Sequence, residues 1–559
     1  MTFRPSAFEN FIAGAVPAQS RLFPQYRGSR TDFDIVIVGS GMGGGLLADD
    51  LADRLGSRKR ILVLEAGTYL FPTHVYNLCR FSNADVASRF GCQTFWQMGH
   101  GGSEYYIHEQ PQLNFGGRSI FWSGLIPTIQ PWELEFFPPR VRADLAGGLL
   151  RDAADLMNAS VTMGNVAGAI VAKLRQSPLS DHFDIAETPR ALHQPYLTRE
   201  GAPRTSFSIE PTGVFNTAEL LINQLGLAPS PADGNGSGLY LLLNHYVEDI
   251  RNAAGDSFQL VVRDTLSGDA RYFEAGTVVL AGGSIESPKL LRRSSSLFDS
   301  LPGEVQALVG RGLTDHPTTD WLGTLATAVG DVPIPPDSHA KVIFYSRGLN
   351  APDGSIRYPF NVEMNVNHEY WHLRENDPSA GPPPPSTGGA SRVEIKFSFG
   401  NCLDDNNAVR SPPPYGYVPE IAFRNLNWVD YLARARFPAL AGWNNDPAQI
   451  FGVLNAVARD IFDQFSHNGS PCQVEGAFGQ DFKDFGFGTV HHAVGTLRMP
   501  SKSRRDGPFA PASVVDEDLR VMGTRNLYAC DMSVMPFSSA ANPVRTLAAL
   551  ALRLSHHFG

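Results

Sequence analysis

Two segments near the C-terminus hold the residue types that move protons. TVHHAVGTLRMP carries His492, and NLYACDMSVMPFSSAANPVRTLAAL carries Asn542. A neutral imidazole, with a pKa of about 6.5, accepts a proton around neutral pH. An asparagine amide N–H supplies a preorganised hydrogen bond to charge as it develops on oxygen. Far upstream, VGSGMGGG has the glycine spacing of a loop that holds a dinucleotide phosphate. A proton acceptor and a redox nucleotide on one chain point to removal of a proton and a hydride from one substrate, the step that turns an alcohol into a carbonyl. His491 precedes His492, and the spacing to Gly495 and Thr496 favours His492 as the base.

The elements that must position these groups are legible around the glycines. DFDIVIVGSGMGGGLLADDLADRLG begins with a compact apolar run, Ile35 to Val38, of the kind found in a buried parallel strand. It turns through Gly39, Gly41 and Gly44 and continues with helical spacing through Leu46, Leu47, Leu51 and Leu55. Gly39 suits the tight turn, Gly41 the approach of backbone to a pyrophosphate, and Gly44 close helix–strand packing. The helix N-terminus offers N–H groups and a positive dipole end to phosphate. A second apolar strand, RILVLEAG, ends at Glu65, roughly 20 residues beyond the glycines, where a carboxylate accepts ribose hydroxyls and disfavours a 2′-phosphate. A further strand in TVVLAGGSIESPKLL ends at Ala281, Gly282 and Gly283, small residues that suit close passage of a cofactor; a plain strand–turn–helix with Pro288 in the first helical turn is the alternative reading.

Composition narrows the class. A chain of 559 residues exceeds one ordinary core, so at least two domains are expected. Its 43% hydrophobic and 18% charged residues are a globular balance. A net charge of −10 argues against an electrostatic nucleic-acid binder. No apolar run reaches the ~18 residues of a membrane span. The five cysteines form no CxxC pair, so no metal site is expected. The first thirty residues lack the basic start and long apolar core of a secretory signal, which predicts an N-terminal arm over 1–31 and a cytoplasmic protein.

Together these segments resemble the glucose–methanol–choline (GMC) family of FAD-dependent oxidoreductases. GSGMGGG followed by LEAG is similar to its adenine-dinucleotide site, NFGGRSIFWSG at 114–124 to the loop beside the flavin ring, and LVGRGLTDHP at 308–317 to its G-x-x-L-x-D-H-P segment. HHAVGTLRMP, NLYACDMSVMP and ANPVRTLAALALRL resemble its C-terminal signature and last helix. The resemblance implies that His492 is the catalytic histidine and Asn542 its partner, and that Gly39, Gly41, Gly44 and Glu65 hold the adenosine and pyrophosphate of FAD. It further implies that Gly117 and Ser119 lie near the ring, that Val247 meets the adenine through its backbone, and that Ala281, Asp531 and Val544 complete the site. Phe121 stands where some members carry the histidine that bonds FAD covalently, so non-covalent FAD is expected. Ala493 replaces the proline that often follows the catalytic histidine.

The expected fold is α/β plus α+β: a Rossmann-like FAD-binding domain and a discontinuous substrate domain built on an antiparallel sheet. The nucleotide segments would fall at 32–125, 205–317 and 489–559, with a substrate-domain or lid insertion at 126–204 and the substrate domain at 318–488. RYPFNVEMNVNHEY and SRVEIKFSFG alternate apolar and polar residues and predict half-buried strands. His316 reads as structural, His368 and His372 as substrate-facing or surface residues, and the proline- and glycine-rich stretch 377–391 as an exposed loop. The NFGGRSIFWSG loop looks most like the pyranose-oxidising branch, which favours a sugar, glycoside or polyol, with oxygen or another molecule as electron acceptor. Alternatives on this scaffold are an aromatic or aliphatic alcohol oxidase, a lyase that leaves the flavin unreduced, a light-driven decarboxylase, or a non-catalytic flavoprotein.

Overall fold

The computed structural model describes residues 31–69, 111–160, 165–192, 214–226, 238–325, 328–329, 332–333, 340–347, 358, 360–366, 391–410, 420–422, 447–465, 473–475, 491–501 and 512–559. The N-terminal arm through residue 30, His368, His372 and residues 377–390 lie outside them. The apolar runs read as strands around the glycines pair in parallel. Phe33–Val38 lies between Ile61–Leu64 and Ala270–Leu280, and Leu239–Leu242 and Leu527–Ala529 extend the parallel set. Phe258–Asp264 and His245–Asn252 continue this seven-stranded sheet antiparallel from Ala270–Leu280.

Parallel neighbours need a crossover, and the helix Met42–Leu55 supplies the one from Phe33–Val38 to Ile61–Leu64. Leu46, Leu47, Leu51 and Leu55 are all buried on it, as their spacing predicts, and the helix packs against the C-terminal helix Val544–His557. Every parallel strand therefore ends at the same sheet edge as the glycine turn.

A second sheet is antiparallel throughout, in the order Gln473–Glu475, Thr318–Leu325, Ser391–Phe399, Phe360–Val366, Ala340–Ser346 and Phe183–Glu187. Its edge strand Phe183–Glu187 comes from the stretch read as a substrate-domain or lid insertion. Val342, Phe344, Val362, Met364, Ile395 and Phe397 are fully buried on one face. The other face departs from expectation: Phe360–Val366 is buried along its whole length, polar positions included. Alternation marks two chemically different faces, but here the polar face is covered by the rest of the protein. The chain is thus mixed α/β. No helix among the described residues is long and apolar enough to cross a membrane.

Candidate functional site

The glycine turn is built as its spacing requires. Gly39 has φ +111°, and a Cβ there would overlap the Ala281 carbonyl oxygen. On Gly44 a Cβ would overlap the Gly39 carbonyl and stand 2.9 Å from the Ala281 Cβ, so Gly44 is the close-packing glycine. A Cβ on Gly43 would collide with the Cys530 carbonyl, because the helix start abuts the end of Leu527–Ala529. Gly41 differs, since nothing lies within 4 Å of the place a Cβ would take. It faces a cavity of about 890 Å³, near the upper end of the range for ligand pockets.

That cavity gathers the residues singled out in the sequence. Gly39, Gly41, Glu65, Gly117, Ser119, Val247, Ala281, Asp531, Val544, His492 and Asn542 all line it, and Gly44 alone of the set stands behind it. Phe121 lines it as well. Several of these side chains brace the walls. Ser119 Oγ donates to the Gly116 carbonyl at 2.6 Å and accepts from Thr217 N–H at 3.0 Å, while Thr217 Oγ1 donates to the Ser40 carbonyl at 2.8 Å. The register shift between Val247 and Asp249 interrupts the ladder of the strand that carries Val247.

Two of the buried carboxylates of the site, Asp531 and Glu65, divide their work differently. Asp531 accepts from Gly283 N–H at 2.9 Å, Ser287 Oγ at 2.5 Å, Ser533 N–H at 2.8 Å and the Ser533 hydroxyl. A carboxylate offers roughly four acceptor sites, so Asp531 is fully used in tying the Leu527–Ala529 strand end to the helix Gly283–Arg293. Glu65 accepts from Ser40 N–H at 3.1 Å, Ser40 Oγ at 2.6 Å and Gly67 N–H at 2.9 Å, and keeps about one site for a ligand. Burial raises both carboxyl groups, against the lowering effect of these bonds.

Pro288 sits inside the helix Gly283–Arg293 rather than in its first turn. Proline has no N–H, so the Ser284 carbonyl one turn earlier loses its helical donor. Thr496 Oγ1 fills the gap, donating to that carbonyl at 2.7 Å, and Ser284 Oγ returns a bond to the Ala493 carbonyl at 2.6 Å. The segment 493–499 is further paired by Val494 and Thr314 N–H and C=O groups at 2.8 and 3.1 Å, and by Leu497 N–H to Ser533 at 2.8 Å. His492 emerges from this clamped segment.

His492 Nδ1 lies 2.8 Å from His316 Nε2, and His316 Nδ1 lies 3.2 Å from the Ser539 carbonyl. A carbonyl only accepts, so His316 Nδ1 carries its proton. Burial and Lys396 push the His316 pKa down to about 3, so the ring is neutral and its Nε2 is an acceptor. His492 Nδ1 therefore donates. The His492 pKa is held well below 6.5 by burial, then by His316, Lys396, His491 and Arg118, which leaves its Nε2 with a free lone pair. His316, read as structural from sequence, is thus the residue that sets the tautomer of His492. Asp315, His316 and His492 also bring potential ligating atoms within 4.8 Å. Their 2.8 Å nitrogen pair is a hydrogen bond, however, since two nitrogens on one zinc at ~2.0–2.1 Å stand about 3.3 Å apart. His491 is exposed at the rim with a left-handed φ of 58°.

Asn542 ends a loop anchored by Ala540 N–H to Glu133 at 2.8 Å and by Ser538 and Asn401 N–H and C=O groups at 2.8 and 2.9 Å. Its Oδ1 is buried without a hydrogen-bond partner among the described residues, an atom of the amide left for whatever occupies the cavity. Proline and the helix Val544–His557 follow directly, so the helix N-terminus also opens at this wall.

The remaining wall was not legible as a site. Lys341, Glu363, Asn365, Glu394, Lys396 and Ser398 project from the polar face of the antiparallel sheet into the same cavity as His492. The register sets Lys341 beside Asn365, Asn365 beside Glu394, and Glu363 beside Lys396, so donors and acceptors alternate across three strands. Burial lowers Lys341 to about 8, opposed by Glu363.

Residues 454–551 match the family model described as GMC oxidoreductase. A pyranose dehydrogenase of Agaricus campestris is 22% identical over 584 residues, covering 90% of each chain. An uncharacterized GMC-type oxidoreductase of Sinorhizobium fredii is 23% identical over 555 residues, covering 93% of this chain and 94% of its own. The crystal structure of pyridoxine 4-oxidase from Mesorbium loti superposes with a TM-score of 0.60 at 18% identity, over 94% of this chain and 99% of that one. The family that the sequence resembles is the one whose model matches residues 454–551, and the relatives named above are similar to this chain along most of its length.

Proposed function

We propose that this chain is an FAD-dependent oxidoreductase that converts an alcohol group of a sugar, glycoside or polyol to a carbonyl. The observation that carries the proposal is the His316–His492 pair, which leaves a neutral imidazole lone pair in the cavity that the glycine turn opens. The cradle fits FAD: Gly41 leaves room where a side chain would intrude, Glu65 keeps an acceptor site, and the Asn542 Oδ1 awaits a partner. When bound, the flavin supplies a hydride acceptor. Phe121 offers no nucleophile at the ring-side loop, so the cofactor is held without a covalent bond.

His492 Nε2 takes the hydroxyl proton, giving the oxygen the alkoxide character that makes its carbon a hydride donor. His316 keeps that ring in the accepting tautomer. Asn542 donates from its amide to the same oxygen as charge develops. The alternating Lys, Asn and Glu side chains hold a ligand rich in hydroxyls, because each hydroxyl both donates and accepts. Molecular oxygen or another acceptor then takes the electrons.

The test is an anaerobic absorbance scan of the purified protein against sugars, polyols and aromatic alcohols, repeated with His492→Ala. Bleaching of the visible flavin band by a polyhydroxylated substrate is expected, slowed about 10²- to 10⁴-fold in the variant. A flavin that no alcohol bleaches would overturn the redox reading, and bleaching by aromatic alcohols alone would overturn the substrate class. Admitting air separates oxygen from other acceptors.

A further inference from the structure

The helix Gly283–Arg293 carries an ion pair that the proton chemistry leaves unused. Glu286 and Lys289 stand one turn apart, their charged groups in contact, with Lys289 fully buried and Glu286 7% exposed. Removing two charges from water is costly and stabilises a fold poorly. One Glu286 oxygen, Oε2, meets the Lys289 ammonium, while Oε1 is buried with no hydrogen-bond partner among the described residues. Glu286 lines the cavity beside His245, Tyr246 and Val247.

Its place along the cavity follows from its neighbours. Lys289 Nζ lies 5.5 Å from the centre of the Tyr246 ring, and Arg293 donates to the Tyr246 hydroxyl at 3.3 Å. The helix face bearing residues 286, 289 and 293 is therefore turned toward the strand of Val247. That strand begins at His245, whose N–H donates to the Glu65 carbonyl at 2.8 Å. Glu286 thus shares the nucleoside end of the cavity with Glu65, where a phosphate would be repelled and a hydrogen-bond donor is wanted.

We propose that Glu286 Oε1 accepts a hydrogen bond from the exocyclic amine of adenine, so that this ion pair selects the base of the dinucleotide. The proposal rests on the FAD reading above. Lys289 holds the carboxylate in place through Oε2, and a carboxylate accepts but never donates. A base presenting a carbonyl at the same position would set two oxygens against each other.

The test uses the full-length holoprotein equilibrated with equimolar FAD and its hypoxanthine analogue, in which that amine is a carbonyl. The two bound flavins are released and quantified by chromatography. The wild type should hold FAD over the analogue by about tenfold to a hundredfold, the range of a hydrogen bond to a charged group. Glu286→Gln can present an N–H instead and should bring the ratio to parity or below. Glu286→Ala with Lys289→Met removes both charges and should also erase the preference. A wild-type ratio near one, or a ratio unchanged in Glu286→Gln, would overturn the proposal. A wild type that retains no flavin of either kind would overturn the FAD reading instead.

Discussion

The two sheets meet the same cavity with opposite means. The parallel sheet presents backbone: glycines too crowded for a Cβ, strand ends and helix N-termini, with Glu65 and Asp531 spent largely on bonds inside the protein. The antiparallel sheet presents side chains, with Lys341, Glu363, Asn365, Glu394 and Lys396 arrayed across three strands. A surface made of backbone admits few substitutions and binds one constant partner. A surface made of side chains on a fixed ladder changes its ligand without changing its fold. On the function proposed above, the difference teaches that cofactor and substrate recognition would be physically separable.

The largest effects should break the backbone side of this comparison. Gly43→Ala drives a Cβ into the Cys530 carbonyl and should lower stability by about 3 kcal/mol or more, seen as loss of soluble protein or a displaced denaturant midpoint. Gly41→Ala, which meets no protein atom, should fold normally and lose flavin affinity instead. Equal damage from both would deny the distinction between packing glycine and cradle glycine.

Changes on the side-chain side should be smaller and leave the cofactor alone. Glu363→Gln and Lys396→Met should each reduce kcat/KM about 10- to 100-fold, mainly through KM, with full flavin content by absorbance. Loss of flavin in either variant would mean that the wall serves both ligands. His316 stands where the two regions join. His316→Ala should cost about tenfold in kcat and move the acid limb of the kcat/KM profile to higher pH, because removing a buried neighbour raises the His492 pKa toward 6.5. An unshifted limb would reduce His316 to packing.

The smallest effect is on stability. The His316 pKa is about 3 in the fold and about 6.5 unfolded. Above 6.5 neither state is protonated. As pH falls below 6.5 the unfolded chain binds a proton that the native chain refuses, so stability declines toward the folded pKa. Between pH 7.5 and 6 this amounts to about 1 kcal/mol, measurable as the loss in urea stability that His316→Asn does not share.

The same contrast explains what the sequence disclosed. Gly39 and Gly44 were readable because tight turns and close packing leave glycine no substitute, and the periodic leucines because a buried helix face repeats. Phe360, Val362, Met364 and Val366 marked one face of a strand correctly. The opposite face was misjudged, because Glu363 and Asn365 look the same whether water or an enclosed cavity lies above them. His316 was underestimated for a related reason: its neighbour His492 is 176 residues distant in sequence, and no local pattern reports a bond between segments that far apart. Pro288 inside a helix is illegible for the same reason, since the hydroxyl that tolerates it belongs to Thr496.

That last bond couples two regions. A helix carbonyl stripped of its donor by Pro288 is held by the segment bearing the base, while the same helix's first residue is held by Asp531 at the cofactor cradle. Whatever steadies one end steadies the other. The arrangement is an interlock: the segment bearing His492 and the strand end bearing Asp531 grip the same helix, so a shift at either end is felt at the other.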